Sequence, residues 1–382
     1  MHFVEIIFKN LGRRPVRTLL TMLGLAVAVM AMTALWSIAW GYAASASDFY
    51  AKRGIDIVVV RAGVANRLTS RLNAELAARL REVPGVADVD VSLTDMVTLG
   101  DADLIGIPLR GLKSDGFTIR QLSLGAGEPL AAGDKRLVLI GRGIADALGT
   151  KTGDTIHVED QDFRVKGIIE PSNPFDSNSL VAPLAEVQDL MGSAGVVSEV
   201  QVQVEPAVRD ETALREKCRM IEALRDTAGE PLGLKAQPTR QFVNGATEAQ
   251  LGTSLAWAVT AIVFALSLVG MLNTMLMSVS ERMRELGVLR AIGWRPRRLV
   301  RMILGESVLL GLGGALGGIA AAAVLVKVLA LWSRTSLFVP ANVDVVALCL
   351  GMSGAVAAAV VGSMYPAIRA GSVPPVESLR HE

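Results

Sequence analysis

Four long stretches free of charged side chains interrupt an otherwise mixed chain. Residues 18–47 and 249–280 contain no Asp, Glu, Lys or Arg, and two further apolar runs cover 307–326 and 345–368. At 1.5 Å per helical residue, each run crosses the roughly 30 Å of a bilayer's hydrocarbon core. Backbone polar groups find no water there, so each run is expected to be a helix. The pattern predicts spans at 18–47, 251–280, 301–328 and 345–368, with a connector at 281–300 and a short outer loop at 329–344.

The first run follows Lys9, Arg13, Arg14 and Arg17, an arrangement that also suits a signal peptide, and Ala43–Ala46 reads as a cleavage site. The run far exceeds the 7–15 apolar residues of a signal-peptide core, which favours an uncleaved anchor. Within 1–17, Phe3, Ile6, Ile7 and Leu11 fall near one helical face. An interfacial helix ending at Pro15 and a simple extension of the first span both fit this pattern.

Between 48 and 250 the composition becomes that of an aqueous α+β domain. Residues 55–60 form an apolar strand, 73–83 a helix stopped by Pro84 and Gly85, and 86–93 an alternating strand. The order repeats later: a strand at 198–205, a helix from 209 to 228 and a strand near 232–238. Two such units separated in sequence predict a split subdomain, 48–101 with 196–250, holding a β-rich insert at 102–195. Within the insert, Gly149 and Gly153 mark turns and 154–169 reads as a hairpin.

Composition agrees with spans plus a sizeable aqueous domain: 51% of the 382 residues are hydrophobic, 20% are charged, and mean hydropathy is +0.43. A formal net charge of +1 gives no signature of nucleic-acid binding. Cys218 lies in a polar segment and Cys349 in an apolar run, so no disulfide is expected. His2, His157 and His381 are too scattered to suggest a metal site or a catalytic dyad. Asp88, Asp90 and Asp95 resemble a carboxylate set, but Asp88 and Asp90 share one strand face, which reads as solvated surface. No G-x-S-x-G elbow occurs.

Arginines set the orientation. The N-terminus carries four basic residues, and the connector carries Arg282, Arg284, Arg290, Arg295, Arg297, Arg298 and Arg301. Four spans with both termini and the connector on the cytoplasmic side satisfy the positive-inside rule, and 48–250 is then extracytoplasmic. In the connector, Met283, Leu286, Leu289 and Ile292 recur every third residue and Gly293 ends the pattern before Pro296. This reads as a short amphipathic helix. Glu306, near Arg298 and Arg301, reads as an interfacial charge with local partners and not as a proton carrier. In the third span Gly313, Gly314, Gly317 and Gly318 set small residues four apart, which permits close packing within the subunit or across a dimer.

Three segments carry a family resemblance: 10–29, "NLGRRPVRTLLTMLGLAVAV", 280–318, "SERMRELGVLRAIGWRPRRLVRMILGESVLLGLGGALGG", and the ending from Tyr365. In that order they resemble MacB/FtsX-type permeases of ABC transporters, and the central domain is similar mainly in architecture. The resemblance implies that the connector docks on an ATPase subunit through Arg284, Glu285, Leu286, Gly287, Arg290 and Gly293. It also implies a second permease subunit, in a homodimer or with a related chain. A periplasmic adaptor and an outer-membrane channel are further partners it admits. The 382 residues contain no G-x-x-x-x-G-K-[ST] loop, so ATP and magnesium are expected in the partner ATPase and no cofactor in this chain. The implied role is a non-enzymatic permease of the bacterial inner membrane whose external domain exports or extracts a substrate. An activator of cell-wall hydrolases, a lipoprotein-releasing permease and, outside the family, a membrane-bound sensor are the alternatives.

Overall fold

The computed structural model describes residues 15–64, 66–100, 104–170, 173–331 and 344–372. The expected interfacial helix, most of the outer loop and most of the tail lie outside the described residues. Two compact units divide the chain: a helical unit within Met1–Gly41, Gly252–Leu329 and Ala341–Glu382, and a sheet unit within Tyr42–Leu251 and Ala330–Pro340.

Four long apolar helices span Pro15–Lys52, Thr247–Glu281, Pro296–Leu331 and Val345–Ser372. Each is long enough to cross a bilayer. We call them spans 1 to 4. Spans 1 and 3 open on a proline at the first helical position, where the missing N–H would have no intrahelical partner anyway. Span 3 therefore starts five residues before the expected 301, because Arg297, Arg298 and Arg301 are ordinary helix formers outside the apolar run. Pro366 sits inside span 4.

In the sheet unit the strands are β1 (Ile57–Arg61), β2 (Leu72–Asn73), β3 (Val86–Leu99), β4 (Leu104–Leu112), β5 (Leu124–Gly127) and β6 (Leu137–Gly141). They continue with β7 (Thr155–Val158), β8 (Gln161–Ile169), β9 (Leu180–Pro183), β10 (Val196–Val197), β11 (Glu199–Val204) and β12 (Leu234–Pro238). One mixed sheet runs β12-β1-β11-β3-β4-β9-β6-β8-β5, with β7 paired to β3 and β8, and β10 pairs β2 separately. Pairs β4/β9 and β6/β8 are parallel, and the other pairs are antiparallel. β3 and β4, on either side of the expected border at 101/102, pair from Ser92↔Leu112 to Leu99↔Leu104, so the sheet continues across that border.

The apolar run of β1 is buried on both faces. Ile57 and Val59 join the main core, while Val58 and Val60 pack with Phe49, Tyr50, Phe117 and Val243. β3 corrects the expected solvated aspartate face. Val89, Val91 and Leu93 enter the main core as the alternation requires, but Asp90 on the opposite face is only 1% exposed. Its carboxylate accepts from the Thr118 backbone N–H at 3.1 Å, and Gly116 leaves the room that a side chain would fill. The short helix Phe117–Arg120 covers that face, so alternation on β3 marks a polar buried face and not a wet one. Asp88 remains half-exposed between Arg81 and Arg120, each 3.7 Å away.

Cys218, on the helix Glu211–Glu222, is buried against the main core, and burial with the nearby Glu222 pushes its thiol up to about 12. A thiol reacts as thiolate, so Cys218 is expected to resist a maleimide at pH 8 while the protein is folded and to label fully in denaturant. Mass spectrometry of the labelled peptides measures this. Rapid labelling of Cys218 in the native protein would contradict the packing of that helix.

Candidate functional site

The connector forms a nine-residue helix, Met283–Ala291, and its two ends are fixed by different means. At its C-terminus Trp294 N–H donates to Leu289 O at 3.1 Å and Gly293 N–H to Arg290 O at 3.0 Å. These two bonds make a Schellman closure, which needs a left-handed residue, and Gly293 has φ +100. Arg298 stacks over the Trp294 ring at 4.3 Å. At the other end, Arg282 forms the turn out of span 2. Its Nη1 donates to both carboxylate oxygens of Glu306 on span 3, each at 3.1 Å, and its Nε lies 3.6 Å from Glu285. Next to it, Arg17 at the start of span 1 bonds Glu281 at the end of span 2 at 2.5 Å.

Glu306, expected to have local partners, is paired with Arg282. Arg298 is engaged on Trp294, and Arg301 lies on the exposed side of span 3. The Arg282 side chain is 17% exposed and that of Glu306 7%, so this pair is largely desolvated. Removing one partner would strand the other, which is costly.

The helix's inward face joins a core built from spans 2, 3 and 4. Leu286 packs there with Met275, Val279, Leu299, Met302 and Ile303, and Met283, Leu289 and Trp294 flank it. Of the residues expected to dock, Leu286 and Gly287 are therefore buried inside the subunit and are not presented to a partner. Arg290 is half-buried, whereas Arg284, Glu285 and Gly293 are exposed. Ile292, the fourth member of the expected apolar stripe, is 74% exposed. The reason is geometric. Residues three apart on an α-helix drift by about 60° per step, so three steps carry Ile292 to roughly the side opposite Met283. Ile292 instead aligns at four-residue spacing with Val288, 43% exposed, and Arg284. The outward face consists of Arg284, Glu285, Val288, Ala291 and Ile292, an apolar strip beside charges. Val288 and the Arg17, Glu281 and Arg282 contacts were missed by sequence reasoning; a four-residue count from Arg284 would have found Val288.

The four glycines of span 3 meet span 1 of the same chain. A methyl group built at Gly318 would come within 2.5 Å of Ala26 O, one at Gly314 within 2.6 Å of Leu25 Cβ, and one at Gly313 within 2.9 Å of Met22 Cε. At Gly317 the nearest atom would be Ala26 Cβ at 3.6 Å. Span 4 uses the same device, missed in the sequence: Gly351 lies against Thr33 of span 1, and Gly362 against Leu268 and Met271 of span 2. The cue was present as Ala347, Gly351, Ala355, Ala359 and Gly362, small residues three or four apart.

Four membrane-crossing helices, a mixed-sheet domain between the first two and a capped basic connector between the second and third define an ABC-transporter permease class. The MacB-like periplasmic core domain matches residues 18–216 and the FtsX-like permease C-terminal domain matches 257–375. The chain belongs to this MacB/FtsX family. It is 27% identical over 392 residues to the macrolide export ATP-binding/permease protein MacB of Nitrobacter winogradskyi, covering 97% of this chain and 59% of that protein. An ABC transporter permease of Methanocaldococcus jannaschii is 26% identical, with 99% of this chain and 98% of that one covered. The periplasmic region of MacB from Actinobacillus actinomycetemcomitans aligns over 49% of this chain and 91% of its own, at 17% identity and a TM-score of 0.38. The sheet unit, most of which lies within the match to the MacB-like periplasmic core domain, is the extracytoplasmic domain of a multi-pass membrane protein.

The glycine geometry makes a graded prediction. Gly318→Ala pushes a methyl group onto backbone and is expected to cost about 1–3 kcal/mol through overpacking, while Gly317→Ala meets only ordinary contact and should be neutral. Thermal unfolding of the purified variants in one detergent measures the difference. Equal midpoints for the two would refute this packing of span 3 on span 1.

Proposed function

We propose that this chain is the permease subunit of a transporter in which a separate ATPase pushes on the connector and the spans relay that push to the extracytoplasmic domain. The observation that carries this reading is the two-sided connector: Leu286 and the Arg282–Glu306 pair bind it to the spans, and Val288 and Ile292 are left bare on the other side. A helix tied into the core at one face and ended by a fixed cap moves with its spans as a rigid body. Its outer strip has the chemistry of a helix that lies in a partner's groove. In this reading the connector and both termini are cytoplasmic, the partner holds ATP and magnesium, and two permease chains form the working unit. The action on cargo is export or extraction at the outer face. Among the described residues, the ion pairs Arg17–Glu281, Arg282–Glu285 and Arg282–Glu306 of the helical unit lie near the connector, and the uncharged runs of the spans provide no polar path for a solute.

The test separates the two faces. Val288→Asp with Ile292→Asp is expected to leave the protein folded and to weaken ATPase binding about tenfold or more, the effect of losing apolar anchors worth ~2 kcal/mol. Leu286→Asp is expected to abolish folded protein, because it places a carboxylate in an apolar core. Pull-down of the cognate ATPase and ATP turnover of the reconstituted pair are the readouts. Unchanged binding and turnover in the outer-face variant would rule out docking through this strip.

A further inference from the structure

The extracytoplasmic domain contains a cavity of about 320 Å³ that the coupling mechanism does not use. Five aromatic rings line it: Tyr42, Phe49 and Tyr50 from the end of span 1, Phe175 from the short helix Pro174–Ser177, and Phe242 from the helix Thr239–Gly245. Four of the rings form a connected cluster, edge-to-face at Phe49–Tyr50 (5.3 Å) and Tyr50–Phe242 (5.8 Å) and tilted at Phe49–Phe175 (5.9 Å). A dry apolar cavity of about 150 Å³ is enough for one benzene, so this volume suits a larger apolar body. It lies at the lower end of the roughly 300–1,000 Å³ typical of small-molecule sites.

The charge around the cavity has one sign at the lining. Among the described residues, Arg67 and Lys235 line it and no carboxylate does. Arg67 Nη1 donates to Tyr50 Oη at 2.9 Å, and Tyr50 Oη donates to Glu199 at 3.1 Å, so the guanidinium is held in place through a lining ring. Behind the wall, the guanidiniums of Arg53 and Arg110 stack on the Phe49 ring at 3.9 and 4.4 Å. Arg53 pairs with Asp176, but both terminal nitrogens of Arg110 are buried with no hydrogen-bond partner. Burial and the neighbouring Arg53 lower the Arg110 pKa to about 10, which leaves it charged at neutral pH. Around Phe49 and Tyr50, then, Arg53, Arg67 and Arg110 face Asp176 and Glu199 as the carboxylates among the described residues, and Lys235 adds a cation at the lining. An apolar cage next to surplus positive charge matches a ligand with an apolar body and a negative head.

We propose that this cavity binds an anionic amphiphile, its apolar part held among the aromatic rings and its head at Arg67 and Lys235. Reading that ligand as the permease's cargo rests on the proposed function, whereas binding is measured without any ATPase, so the two readings fail separately. The probe is decanoate, with decanol as its neutral twin, titrated calorimetrically into the full chain in nanodiscs of zwitterionic lipid. Saturable decanoate binding at one site per chain is expected, with decanol clearly weaker. Arg67→Gln and Lys235→Gln, each removing a partly exposed charge, are expected to weaken decanoate about two- to fivefold. Ala46→Trp, which fills the cavity, is expected to abolish saturable binding. Native mass spectrometry of the freshly purified protein assigns the source: an anionic lipid that decanoate displaces comes from the membrane, and an empty site that takes up decanoate serves a soluble amphiphile. Absence of saturable binding, equal binding of decanoate and decanol, or binding unaffected by both charge variants would each overturn the proposal.

Discussion

In hydrocarbon an apolar helix face gains nothing by leaving lipid for another apolar face, so spans hold together where their backbones come close. That constraint governs the helical unit. Gly314 and Gly318 bring span 3 onto Leu25, Ala26 and Val29 of span 1, Gly351 brings span 4 onto span 1, and Gly362 brings span 4 onto span 2. Each contact trades a side chain for close dispersion contact, with the neighbour's backbone at Gly318 and Gly362 and with side-chain atoms of Thr33 and Val29 at Gly351. The connector depends on this platform. Leu286 has a core to enter only because Met275, Val279, Met302 and Ile303 are already held together from spans 2 and 3.

The Arg282–Glu306 pair adds a different restraint. A desolvated ion pair contributes little net stability against an apolar alternative, but breaking it is expensive. Its value is therefore geometric: it fixes the turn out of span 2 to span 3 at the root of the connector. Arg17 and Glu281 do the same for span 1. Around one short helix, three spans thus converge on charged contacts, while the uncharged runs of the spans pack by shape. The arginines that set topology by their number are, in part, the same ones that set geometry by their partners.

Much of this was legible in the residues. Runs without charge located the spans, since hydrocarbon tolerates few ionisable groups and the test is composition alone. The glycine pairs of span 3 announced a close approach, and Gly293 before Pro296 announced the helix end. What remained hidden required knowing who the neighbour was. Small residues four apart do not say whether the neighbour is span 1 or a second chain. A three-residue apolar spacing in the connector looked like one stripe, although its drift around the helix places Ile292 and Leu286 on different sides. Asp90 looked solvated because alternation reports that two faces differ; it does not report that Phe117–Arg120 will cover the polar one.

The same contrast separates the two units chemically. Among the described residues, the helical unit buries Thr33 and Ser37 with hydroxyls lacking a partner and places its ion pairs near the connector. The extracytoplasmic domain does the opposite. It buries Glu199, Gln201, Thr118 and Asp90 in one hydrogen-bonded series and leaves Arg110 unsatisfied behind an aromatic wall. An unpaired buried guanidinium is retained against a cost of several kcal/mol only where the surrounding field or a ligand offsets it. Glu199 and Asp176 contribute to that field at Arg110, and the second is paired with Arg53. In the proposed reading, the remaining imbalance favours this domain for recognition and assigns the spans a mechanical role.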